Sequence, residues 1–185
     1  VFSTHPNIYW DNITIIIIFR KLIWMILQYF KKKENKYKIK SDNIYLNILN
    51  KSKLLLNKKY FHKTDFTTSF ELISILLIYH LKFLNNKDKL SKIRVNEELI
   101  KNLVNDLDKS FRDVGISDMS IGKYVKKYVK KFYYRLKILD PIFKNDNDQE
   151  LLNYLNSFEF VNKNNSTELV NQLSLFFLQI KNNNE

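Results

Sequence analysis

Cysteine is absent from these 185 residues, and glycine and proline occur only twice each. Without cysteine there are no disulfides, no thiolate metal sites and no cysteine nucleophile, and the chain suits a reducing compartment. With so few turn-forming residues, an all-β architecture, which needs many tight turns, gives way to helices. Two glycines cannot build a phosphate-cradling loop. Neither a GxSxG nor a HExxH pattern occurs, and the three histidines, His5, His62 and His80, stand far apart without a catalytic partner nearby in sequence. No credible active site emerges, and no cofactor is called for.

What is present is apolar and basic. Hydrophobic residues make up 45% of the chain, enough for a substantial core. The length suits one domain. The formal net charge is +12, carried by 27 Lys and 4 Arg against 19 acids. Lys, Asn, Ile, Tyr and Phe, all abundant here, share A/T-rich codons, so part of the basicity reflects genomic composition. Its distribution says more. Residues 25–40 hold six Lys against one Glu, residues 118–139 seven basic residues against one Asp, and the chain from Asp140 onward three Lys against seven acids. A basic front and middle with an acidic end fits contact with lipid head groups, RNA or an acidic protein, and equally a solvated surface.

In residues 1–24 the apolar run Ile13–Phe19 is cut by Arg20 and Lys21. It is shorter than the roughly 18–20 residues of a membrane span, and the basic pair follows the apolar run, opposite to a secretory signal. Met25 opens a segment that reads as a natural start. Residues 1–24 are therefore expected to be upstream sequence outside the functional protein, or a short membrane-surface helix with Trp10 and Trp24 at the interface. Residues 25–40 read as a basic N-terminal segment, solvated over 31–40, and residues 41–181 as the helical domain.

Within that domain the apolar spacing predicts a helix over 42–58 capped by Ser41, with Ile44, Tyr45, Ile48, Leu49, Leu55 and Leu56 on one face. The stretch "YFHKTDFTTS", residues 60–69, reads as a loop. A nearly all-apolar central helix follows at 69–84, short for a membrane span and marked by Glu71, His80 and Lys82. Residues 91–114 form the next helix, with Leu99, Leu103, Leu107, Phe111 and Val114 as its core stripe, and Gly115 placed to end it in a left-handed conformation. A basic helix over 119–139, capped by Ser117 or Asp118, stops at Asp140-Pro141; its stripe is Ile121, Val125, Tyr128, Val129, Phe132 and Leu136. Two more helices are expected near 148–160 and 167–181. The fold class is all-α, a single compact domain of five or six helices.

Two clusters stand out. Asp106 and Asp108 form a DxD pair near Asp113 and Asp118, but residues two apart on a helix face different ways and no further ligand stands at metal spacing. Caps, solvation and pairing with Lys and Arg112 account for them more simply. His80, on an apolar helix, reads as a satisfied core or rim histidine. The second cluster is "KYVKKYVKKFYYRL", residues 123–136, with aromatics between Lys123, Lys126, Lys127, Lys130 and Lys131. It suits a nucleic-acid backbone, an anionic membrane or a protein partner, and also a plain amphipathic helix with a solvated lysine face.

The stretch "DLDKSFRDVGISDMSIGKYVKKYVKKFYYRL", residues 106–136, resembles the signature of the ubiquinol–cytochrome c chaperone family. The matching positions are Asp106, Asp108, Phe111, Arg112, Gly115, Ile116, Asp118, Gly122, Lys126, Lys127, Phe132, Tyr133 and Arg135, with Asp65, Phe70 and Glu71 aligned upstream. The chain departs where the family usually has Gly-Arg, here Thr68-Ser69, and where it often has a His, here Leu76. The resemblance implies a non-enzymatic assembly factor for the cytochrome b subunit of ubiquinol–cytochrome c reductase. It also implies a small partner assembly protein, work near the ribosome exit, and peripheral contact with the inner membrane, with no role for DNA. With no mitochondrial presequence evident, the expected place is the cytoplasmic face of a bacterial inner membrane, or the mitochondrial matrix side in a eukaryote. The motif acids, Tyr133 and the two arginines are expected to fix the helix junction or meet client or partner, and the lysines to meet an anionic surface.

Overall fold

Helix α1 covers residues 36–55, and it is followed by α2 (Phe66–Phe83), α3 (Lys89–Asp113), α4 (Asp118–Lys144), α5 (Asp148–Asn156) and α6 (Ser166–Asn182). A 3-10 turn at Lys163–Asn165 leads into α6. The structure, a computed structural model, describes residues 36–84 and 89–182. The expectations for residues 1–24 and 25–35 lie outside the described residues. The chain divides into two compact units, Val1–Ile39 and Lys40–Glu185, and α2 to α6 all belong to the second. Among the described residues there is no strand; one isolated antiparallel bridge joins Phe61 and Val161.

The all-α expectation holds, and several boundaries move for identifiable reasons. Helix is already established by residue 36, so Ser41 is an interior residue, fully buried, and not a cap. The buried positions of α1 in the second unit are Ser41, Tyr45, Ile48, Ser52 and Leu55, spaced three or four apart. The two serines extend the stripe that the apolar residues alone suggested. Residues 36–40, expected as solvated linker, are helical, with Tyr37 alone among them buried. The supposed loop before α2 is partly core, because Tyr60 and Phe61 are buried and Asn162 donates its backbone N–H to the Tyr60 carbonyl at 2.8 Å.

Helix α2 starts at Phe66, three residues earlier than expected. Asp65 caps it: its carboxylate accepts from the Thr68 N–H at 2.9 Å and from the Thr68 hydroxyl at 3.0 Å. The Thr68 bonds hold the Asp65 pKa below its usual value against a smaller effect of burial. By length and composition α2 could cross a membrane, yet 67% of it is buried within the protein, which is how a core helix of mean apolar composition behaves. It lies against α4 and α6; α3 packs on α4, and α5 on α6 and α4.

At its C-terminus α3 closes as anticipated. Gly115 has φ +82°, its N–H reaches the Arg112 carbonyl at 2.9 Å, and the Ile116 N–H reaches that of Phe111 at 3.0 Å. This is a Schellman ending. Val114, expected in the core stripe, is instead 72% exposed, because the chain has already left the helical path there. Pro141 does not stop α4, which runs one turn further. Proline inside a helix costs about 3 kcal/mol. Burying Ile142 and Phe143 offsets it, since each large apolar side chain contributes about 1.5–3 kcal/mol. Phe143 meets the rings of Tyr79 and Phe177 with centroids 5.2 and 5.3 Å away. Helix α5 ends at Asn156, four residues early, where the chain turns toward the bridge at Val161.

Candidate functional site

Helix α4 presents two different sides. Successive residues turn by about 100°, so positions three and four apart share a side. Lys131 and Arg135 face α2, where they meet Glu71. This carboxylate sits in the middle of an apolar helix, 2% exposed. An unpaired buried carboxylate would be penalised by several kcal/mol. Here the Arg135 Nε and Nη2 donate to Oε2 and Oε1 at 2.9 and 3.0 Å, and the Lys131 ammonium lies 2.8 Å from Oε1. Burial is the largest single influence on Arg135 and opposes its charge, but the Glu71 hydrogen bonds together with the charges of Tyr154, Glu71 and Tyr134 outweigh it and raise its pKa. Lys131 also lies over the rings of Phe70 and Tyr128, at 5.4 and 5.6 Å from their centroids, and Arg135 over Phe158 at 5.1 Å. Tyr154 closes the cluster from α5; burial and the nearby Glu71 charge raise its pKa.

Beside this cluster an aromatic wedge ties three helices. Phe66 and Phe70 of α2, Phe111 of α3 and Tyr124 and Tyr128 of α4 make ring contacts between 4.9 and 5.7 Å. At the corner between α3 and α4, Arg112 donates to Asp108 at 2.7 Å and also reaches Asp118, so one guanidinium spans the turn at Gly115. Those partners raise its pKa, the Asp108 hydrogen bond most. Asp106 faces elsewhere: it accepts from the Tyr45 hydroxyl of α1 at 3.1 Å. The two acids of the DxD pair thus serve separate contacts, and among the described residues no group of three or more His, Asp or Glu is placed to hold a metal ion. Ser117 is the N-cap position of α4 but makes no side-chain cap bond.

The other side of α4 is exposed. Lys123, Lys126, Lys127 and Lys130 point outward, together with Lys137, Tyr133 and Tyr134. Between Met119 and Leu139 the helix carries no acid. Met119 is 99% exposed, and a side chain built on Gly122 would meet nothing within 4 Å. Nothing in the described chain comes close to the helix at Gly122.

The residues singled out from sequence therefore divide. Glu71, Phe70 and Arg135 come together at the buried cluster. Asp108, Arg112, Gly115 and Asp118 come together at the corner, with Phe111 beneath. Asp65 is a cap, Asp106 a tether to α1. Tyr133 and Gly122 lie on the outer side with four of the five lysines, while Lys131 turns inward to Glu71. Phe66, Tyr128 and Tyr154 were not singled out. Tyr128 stood in the core stripe of α4, but nothing local in the sequence marks Tyr154 as a neighbour of Glu71. His80 is in the core as read, yet neither ring nitrogen has a hydrogen-bond partner.

Among known proteins, the model of the family described as Ubiquinol-cytochrome C chaperone matches residues 63–174. That span takes in the Asp65 cap, the buried cluster, the corner and all of α4. The chain is also similar to a solved structure, the crystal structure of the Cbp3 homolog from Brucella abortus, with a TM-score of 0.64 over 86% of this chain and 88% of that one. Their sequences are 18% identical, so this likeness speaks for the fold. No curated protein matches the chain by sequence. Since the family match covers well over half of the 185 residues, the chain belongs to the ubiquinol–cytochrome c chaperone family.

Proposed function

We propose that this protein is a non-enzymatic chaperone for the cytochrome b subunit of ubiquinol–cytochrome c reductase, and that the outer side of α4 holds it to an anionic surface where the client emerges. Membership of the family supports the chaperone role. The observation that carries the docking part is the row Lys123, Lys126, Lys127 and Lys130, exposed, without an acid on the same helix side, and interleaved with the half-exposed rings of Tyr133 and Tyr134. Lysines without acidic neighbours attract phosphate, and exposed tyrosine rings suit a boundary between apolar and wet surroundings. Anionic lipid on the cytoplasmic face of the inner membrane, or ribosomal RNA near the exit, supplies that surface. The motif residues at the α3–α4 corner, Arg112, Asp118 and Gly122, face client or a small partner protein.

The test has two arms. Deletion of the gene should lower cytochrome b on a blot, and the wild-type gene should restore it. Reversal of Lys123, Lys126, Lys127 and Lys130 to Glu should abolish co-sedimentation with membranes or ribosomes at low salt while leaving the helical signal unchanged. Normal cytochrome b in the deletion strain would sink the chaperone assignment. A second reading, an RNA-binding protein without a dedicated client, draws on the same rings, since base stacking on Tyr133 and Tyr134 suits single-stranded RNA. Salt-dependent RNA binding with unchanged cytochrome b would select it.

A further inference from the structure

On the acidic, C-terminal part of the fold, away from the lysine row in sequence, a cleft of about 240 Å³ opens between the end of α4, the start of α5 and α6. Its floor is aromatic. Tyr79 and Phe177 stack with centroids 3.7 Å apart and planes 6° from parallel, and Phe143 stands edge-on to both. Its outer lip is Leu178, 53% exposed. Its rim is acidic. Asp146 is the one described non-glycine residue at positive φ (+46°), and the Asn147 N–H bonds to the Ile142 carbonyl at 3.2 Å, so a left-handed turn closing α4 sets this carboxylate at the mouth. Asp148 follows in the first turn of α5 and is matched only by the neutral Ser174 hydroxyl at 2.9 Å. Asp146 holds both oxygens at 2.8 Å from the Lys181 ammonium, which also lies over the Phe83 ring at 4.9 Å.

We infer that this cleft is a docking site for a basic, aromatic-bearing peptide segment of a partner protein, its apolar side chain entering over Tyr79 and Phe177 and its Lys or Arg meeting Asp148 and Asp146. Charge complementarity selects this occupant. One cation of the chain itself already sits on Asp146 and an aromatic face, which is the chemistry such a ligand would repeat, and Asp148 has no cation. An acidic peptide or a lipid phosphate would be repelled by the same rim. The site is separate from the lysine row of α4, and its test does not depend on cytochrome b.

The probe is a fluorescein-labelled, amidated peptide Leu-Arg-Phe-Arg-Leu, titrated with the full chain and read by anisotropy. The wild type should bind it, and Asp148→Lys, which turns one charge attraction into a repulsion, should weaken binding about tenfold or more. Leu178→Arg, at an exposed position that folding does not depend on, should weaken it as well. Lys181→Met, which keeps the stem and removes the competing cation, should tighten it several-fold. Replacing Arg by Glu in the peptide, or Phe by Ala, should abolish binding, and reversing Lys126 and Lys130 to Glu should not weaken it. Absence of wild-type binding overturns the inference. So does equal affinity of the wild type and Asp148→Lys, or a Lys181→Met chain that binds no tighter.

Discussion

Lys130 and Lys131 are neighbours in sequence and opposites in the fold. Lys130 stands in water on the outer side of α4, whereas Lys131 is 30% exposed, 2.8 Å from Glu71, and shares that carboxylate with Arg135. The same residue type, about 100° apart around one helix, does two jobs. The inner cations are structural: they let an acid sit inside an apolar helix. The outer ones hold nothing in the described chain, so folding leaves them free for another molecule. Charge count alone could not separate the two; the buried acid does.

The strongest way to break this comparison is to remove Glu71. Glu71→Ala leaves two part-buried cations facing each other and should cost about 2–4 kcal/mol of stability, read from urea unfolding. Reversing Lys123, Lys126, Lys127 and Lys130 to Glu, four substitutions instead of one, should change stability by less than about 1 kcal/mol. A small loss in Glu71→Ala would mean that water reaches the pair and that both sides of α4 behave alike.

Next in size is the effect of pH on the interior. His80 is buried, and burial holds its pKa at about 4, against 6.5 when exposed. The folded chain keeps it neutral down to that pH, while the unfolded chain takes up a proton below 6.5. Stability from this group is therefore intact above pH 6.5 and falls as pH drops toward 4, by up to about 3 kcal/mol. His80→Leu should flatten that part of the curve, and the lysine-reversed chain should retain it. If the His80→Leu profile matches the wild type between pH 4 and 6.5, the histidine is already solvated or paired in the folded protein.

How far the sequence could be read follows the same division. Helix identity was legible because it is local: the three-to-four spacing of Leu99, Leu103, Leu107 and Phe111, and the glycine at the end of α3. So was the placing of the motif corner, where Arg112 and Asp118 are six residues apart. Boundaries failed where tertiary burial outweighed a local signal. Ser41 looked like a cap and is core; Pro141 looked like a stop, but Ile142 and Phe143 have an aromatic floor to fill. The pairing of Glu71 with Arg135 spans 64 residues, and nothing local encodes it. The only available hint was chemical, that an acid within an apolar helix needs a cation from somewhere.

The smallest effects sharpen the comparison at the corner, where both glycines lie. A side chain on either would meet nothing within 4 Å, so sterics do not distinguish them and backbone does. Gly115 has φ +82°, and Gly115→Ala should lose about 1–2 kcal/mol. Gly122 is helical and open, and Gly122→Ala should gain about 0.5–1 kcal/mol, measured as a higher urea midpoint. A glycine that weakens its own helix, on the side where the lysines are exposed, has no use to the fold. If the outer side is where client or partner seats, Gly122→Trp should fold at least as well as the wild type and yet fail to restore cytochrome b in the deletion strain. Full restoration by Gly122→Trp would place the contact elsewhere on the molecule and leave the lysine row a solvated face.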